Sequence, residues 1–113
     1  MNAAGLKVED LWEKYYMLST EMLKFIENDE VDMFLQLMEQ RTAIQQMIEM
    51  FDDKVWPKTT AGQALYAKLK PVDMQLQYNA RLWLNKSKQK NQAVKSYDLL
   101  GENLAGQLFN KNL

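Results

Sequence analysis

The sequence predicts an all-α fold: an antiparallel bundle of three long helices, followed by a short or mobile C-terminal helix in residues 96–113. Three observations predict it. First, two apolar lines lie back to back, Val8, Leu11, Tyr15, Leu18, Met22, Phe25 and Phe34, Leu37, Arg41, Ile44, Ile48, Phe51. Their steps alternate between three and four residues, which keeps one side of an α-helix turned toward one partner. Second, only Asn28 and Asp29 interrupt the pattern between them, so the two helices form an antiparallel hairpin. Third, a further line of the same spacing follows a proline-containing break: Leu65, Leu69, Val72, Leu76, Asn79, Trp83.

The first helix is expected over about 8–27, with no proline or glycine inside it. A second line, Trp12, Tyr16, Leu23, Ile26, widens its apolar arc to about 160° at 100° per residue, enough to face more than one neighbour. Asn28 suits the left-handed position that ends a helix, and Asp29 suits the N-cap of the next. The second helix is expected over about 30–51, with Glu30 and Asp32 at its positive end. Trp56-Pro57 helps to stop it. Thr60 to Gln63 has the capping-box pattern, and helical spacing then continues to about residue 95. Pro71 falls inside this third helix and is expected to kink or split it. Beyond Tyr97 only a weak line remains, Leu100, Leu104, Leu108, consistent with a helix that docks and undocks or with a frayed tail.

A chain of 113 residues, 47% of them apolar, is expected to be one domain, 1–113, with a real core. Its apolar runs are too short to span a bilayer, and the N-terminal segment lacks the basic start and apolar stretch of a secretory signal. Cysteine and histidine are absent. That removes disulfides, thiolate nucleophiles, the commonest general base and the commonest metal ligand. No glycine-rich phosphate loop, metal-ligand cluster or nucleophile–base pair is found, so no cofactor, no metal and no catalytic residue is expected. The composition fits a cytoplasmic protein that binds rather than transforms.

The net charge of −1 conceals a split. Residues 1–53 hold 4 basic and 12 acidic side chains; residues 54–113 hold 10 basic and 3 acidic ones. Either oppositely charged helices lie against each other in one bundle, or the second half presents a basic patch to an acidic partner.

Three further features bear on binding. Met17, Met22, Met33, Met38, Met47 and Met50 crowd the first two helices, as fillers of core gaps or as a surface that accepts varied apolar partners. Arg81, Lys86, Lys88, Lys90 and Lys95, near Tyr78 and Trp83, have the composition of a nucleic-acid face, but a solvated helix side accounts for them in a mildly acidic chain, and no nucleic acid is expected. Arg41 places a charge within an apolar stripe, where it either snorkels at the edge or holds an anionic ligand. The segment FLQLMEQRTAIQQMI around Arg41 resembles the first helix of the small all-helical chorismate mutases, which bind a dicarboxylate with several Arg and Lys side chains. Where those enzymes usually carry a further lysine, this chain has Asp52.

A resemblance of layout covers most of the chain. LWEKYYMLSTEML, DMFLQLMEQRTAIQQMI, TTAGQALYAKLKPVDMQLQYNARLW with its Leu-x-Pro and Asn79, and the tail with SYDLLG and FNKN are similar, in order and spacing, to flagellar type III export chaperones of the FliT/FlgN kind. The chain departs from them in its FNKN ending, where many relatives have an acidic–basic cluster, and in the lack of an arginine run in the tail. The resemblance implies a chaperone that masks the amphipathic terminal helix of an axial subunit, a filament-cap or hook–filament junction protein, and delivers it to the export apparatus. It implies a cargo groove along Leu65, Leu69, Val72, Leu76 and Trp83, walled by Phe34 and Met38 of the second helix. It further implies an export-gate contact at Tyr97 and a regulatory lid at Leu100, Leu104 and Leu108. The alternative is a generic helical interaction or oligomerisation module, with a homodimer through the same stripes; the mutase is a third reading.

Overall fold

The computed structural model describes residues 7–88, and within them the fold is an all-α bundle. Helix α1 runs Val8–Glu27, α2 Val31–Phe51 and α3 Thr60–Lys88, with a single 3-10 turn, Trp56–Lys58, between α2 and α3. Among the described residues no helix is long and apolar enough to cross a membrane. The last part of the expected third helix and the whole tail, with Tyr97, Leu100, Leu104 and Leu108, lie outside the described residues.

The three helices run up, down and up, and α1 is the element against which both others pack. At one end Leu11, Trp12, Tyr15 and Leu18 of α1 meet Ile44 and Ile48 of α2 and Leu65 and Leu69 of α3. At the other end Met22 and Ile26 meet Phe34, Leu76 and Ala80. Burial of these side chains contributes roughly 1.5–3 kcal/mol for each Leu, Ile, Met or Phe, which is the main term holding the bundle. Trp12 also stacks on Trp56, with ring centroids 6.3 Å apart, and fastens the corner between α2 and α3 onto α1. The six methionines of α1 and α2 divide: Met22 is fully buried, Met38 and Met47 are half-buried, and Met17, Met33 and Met50 are exposed.

The helices begin and end at, or within one residue of, the expected positions where described, but the capping roles move by one residue. Asn28 is the C-cap of α1, and Asp29, with φ 59°, occupies the left-handed position that had been expected at Asn28. The Glu30 N–H donates to the Phe25 carbonyl at 2.8 Å and the Asp29 N–H to the Ile26 carbonyl at 3.2 Å, which closes the α1 end as a Schellman motif. Glu30, not Asp29, is the N-cap of α2. At α3 the cap is Thr59 rather than Thr60: its Oγ1 accepts from the Gly62 N–H at 3.0 Å. Gln63 does not complete a capping box; its Nε2 donates to the Pro57 carbonyl at 2.7 Å. Asp53 Oδ1 accepts from the N–H groups of Val55 and Trp56, so its side chain starts the 3-10 turn.

Pro71 does not split the third helix; α3 continues through it to Lys88. Pro71 is exposed, as is Ala67 one turn before it. The backbone hydrogen bond that proline removes is therefore lost on the solvent side, where water can serve the freed carbonyl.

Candidate functional site

Arg41 resolves into a buried polar layer that takes one residue from each helix. Its Nη1 donates to Asp73 Oδ1 of α3 at 2.9 Å and to Ser19 Oγ of α1 at 2.9 Å. Ser19 Oγ in turn donates to the Tyr15 carbonyl at 2.8 Å. The guanidinium carbon lies 4.9 Å from the centre of the Tyr15 ring, a cation–π distance. Arg41 and Asp73 are each 3% exposed, and Ser19 is fully buried. The layer separates the two apolar clusters: Leu18, Ile44 and Leu69 lie on one side, Met22, Phe34 and Leu76 on the other. Arg41 thus neither snorkels nor faces a ligand; its charge is met by a carboxylate inside the protein.

Tyr15 of α1 borders this layer from the apolar side. Burial pushes its phenol well above the usual tyrosine range; the nearby Arg41 charge opposes this and Asp73 adds to it. Among the described residues its hydroxyl has no hydrogen-bond partner.

The expected cargo groove is not an open furrow. Leu65, Leu69, Leu76 and Phe34 are 5%, 0%, 1% and 0% exposed, because this line of α3 is the one that packs against α1. Val72, Trp83 and Met38 are half-buried against the same interior. The cause is plain: α3 carries two apolar lines, and the one expected to form a groove is the one that builds the core.

The other line points outward. Met74, Tyr78 and Leu82 are 56%, 61% and 44% exposed and recur every four residues. Ala67 and Pro71 continue the line toward the start of α3, and both are exposed. At about 100° per residue this row falls on the side of the helix opposite Leu69, Leu76 and Ala80. Spacing alone does not distinguish the two rows. The sequence signal that could have done so is Asp73, a lone acid on the inner side of α3 that matches the lone arginine in the α2 stripe.

A surface cleft of about 700 Å³ opens between α1 and the first half of α3. Glu9 and Glu13 stand on one wall, Ala64 and Lys68 on the other, and Tyr16 and Trp56 border it. Lys68 Nζ lies 4.9 Å from the centre of the Tyr16 ring, so the cleft already has a cation of its own over the aromatic face. Small side chains, Ala61 and Ala64, leave the space. Among the described residues no group of three or more His, Cys, Asp or Glu could hold a metal ion.

The chain matches no family model, no curated protein and no solved structure.

Proposed function

We propose that this protein is a binding chaperone that masks an amphipathic helix of another protein, in the manner of the flagellar export chaperones its sequence layout resembles. One observation carries the reading: α3 presents a second apolar row, Met74, Tyr78 and Leu82, to solvent while its first row is already buried in the core. A helix laid along that row would cover side chains worth roughly 1.5–3 kcal/mol each when fully buried, before the cost of ordering the partner. That is the scale of a reversible escort. The cargo class, a terminal helix of a filament-cap or hook–filament junction protein, comes from the sequence resemblance. The cargo surface is placed on the outer row of α3 in place of the Leu65–Leu76 row.

The buried layer weighs against the mutase reading. An arginine that serves an anionic substrate must keep donors aimed into a cavity, and Arg41 has Asp73 and Ser19 on Nη1 at 3% exposure.

Calorimetric titration of the purified chain with terminal helical segments of flagellar axial proteins tests the proposal. The expected result is a one-to-one complex with at least one segment, lost in the Met74→Glu/Leu82→Glu variant while its thermal unfolding is unchanged. Failure of every segment to bind, or equal binding by that variant, refutes it.

A further inference from the structure

The charge around the outer row of α3 specifies the partner's chemistry further than the apolar side chains do. On the helical wheel Lys70 and Arg81 fall along one edge of the Met74–Tyr78–Leu82 row, and Lys86 along the other, together with Lys68, whose ammonium is turned toward the Tyr16 ring of α1. All four are exposed. From Thr60 to Lys88 the helix contains a single acid, Asp73, and that carboxylate lies in the interior on Arg41. The outer side of α3 is thus an apolar row with positive charge on both flanks and no negative charge of its own.

A symmetric pairing of α3 with the α3 of a second copy would set lysines against lysines on both edges. A basic amphipathic helix would meet the same repulsion. A helix with Asp or Glu flanking its apolar row meets opposite charge along its whole length. We propose that the occupant of this face is an acidic amphipathic helix of another protein, apolar at helical spacing and carrying carboxylates on both sides of that row. The inference rests on the helix-masking reading above and deepens it: apolar contact supplies the attraction, and the flanking charges select among helices and set their salt dependence.

Three peptides of about 18 residues test it, identical in their apolar positions and flanked by Glu, Gln or Lys; each is titrated into the full chain at about 50 mM and about 300 mM salt. The Glu peptide is expected to bind about tenfold more tightly than the Gln peptide at low salt, and about twofold more tightly at high salt, because exposed charges are screened there. The Lys peptide is expected not to bind. Lys70→Glu/Lys86→Glu, which leaves one cation and one acid on each flank, is expected to bring the Glu and Lys peptides to similar affinity, with circular dichroism melts showing the variant folded. Equal binding of Glu and Gln peptides overturns the acidic preference and leaves helix masking intact. So does binding of axial segments when no peptide binds. If neither peptides nor axial segments bind, both readings fall. Light scattering of the chain alone reads the remaining occupant: a dimer that Leu82→Glu splits assigns the face to a second copy and overturns the inference.

Discussion

Arg41 on α2 and Asp73 on α3 form a 2.9 Å ion pair in the interior of the bundle, with Ser19 of α1 accepting a second hydrogen bond from the same guanidinium nitrogen. Each helix therefore contributes one polar side chain at one level of an otherwise apolar core. A shift of α3 by one residue along its axis would bury Val72 or Met74 against the guanidinium instead and leave a charge unpaired. The observed register is thus one that pairs both charges, and polar core residues are attested to specify register in other helical assemblies.

Removing one half of this pair is expected to cost more than removing both. Asp73→Ala strands the buried guanidinium and is expected to destabilise the fold by about 3–5 kcal/mol. The Arg41→Met/Asp73→Leu double variant is expected to recover most of that loss, because it buries no unpaired charge. Urea unfolding of the single and double variants checks this. A double variant as unstable as Asp73→Ala contradicts it.

Tyr15 makes stability fall at high pH. Its folded-state phenol is held protonated well above the usual tyrosine range, chiefly by burial, while the unfolded chain loses that proton near pH 10. The contribution is therefore fully present below about pH 10 and is lost as pH rises above it, with a slope of up to about 1.4 kcal/mol per pH unit. Tyr15→Phe is expected to flatten the loss between about pH 10 and pH 11. At neutral pH it is expected to leave stability unchanged or to raise it, since the buried hydroxyl it removes has no partner among the described residues. Denaturation midpoints across that pH range decide the matter.

Gly62 is required by the corner. A Cβ there would press against the Trp56 carbonyl oxygen and stand 3.0 Å from Pro57 Cα, both backbone atoms held by the 3-10 turn. Alanine gains up to about 1 kcal/mol of helix propensity over glycine. Overpacking of about 1–3 kcal/mol is expected to exceed it. Gly62→Ala should thus lower the thermal midpoint, and a raised midpoint would show that the corner yields.

Asp29 and Asp52 both hold left-handed backbone, with φ 59° and 50°. At position 29 a β-branched side chain suffers most, so Asp29→Val is expected to destabilise by about 1–2 kcal/mol. Asp29→Gly relieves the same strain and is expected to be neutral or mildly stabilising. Thermal melts in which Val and Gly are tolerated alike would contradict the Schellman description of this turn.

The two rows of α3 differ in kind, and truncation separates them. Leu69→Ala, at a fully buried position, is expected to lose about 2–5 kcal/mol. Leu82→Ala, at a 44% exposed position, is expected to stay within about 0.5 kcal/mol of the parent while weakening helix binding. Equal losses of stability would mean that Leu82 belongs to the core.

Much of the bundle was legible because helical spacing reports directly which residues share a side. The lines of α1 and α2 reappear as buried stripes, and α1 begins and ends where the spacing indicates. The wide arc from Trp12 to Ile26 correctly indicated that α1 has two neighbours. Two things were not legible. The caps slipped by a residue because adjacent polar residues, Asn28 and Asp29 or Thr59 and Thr60, compete for the same backbone groups with nearly equal energies. The expected groove falls on a buried row because periodicity gives the phase of an apolar line relative to its helix axis but not which side faces the core. Arg41 stood out as a charge out of place; its partner did not, since one acid among the residues of a long helix is unremarkable until the helices are aligned.

Because α1 and α2 are joined by a tight turn, they can pair as soon as both exist, well before the chain supplies α3. In that half-built state the cation at position 41 has a hydroxyl beside it but no counter-ion. Its surroundings must then stay wet, and the inner surface of the hairpin cannot close on itself. Docking of the last helix supplies the counter-ion and removes solvent from around position 41, so α3 is expected to come away together with the opening of the hairpin and not to peel off alone.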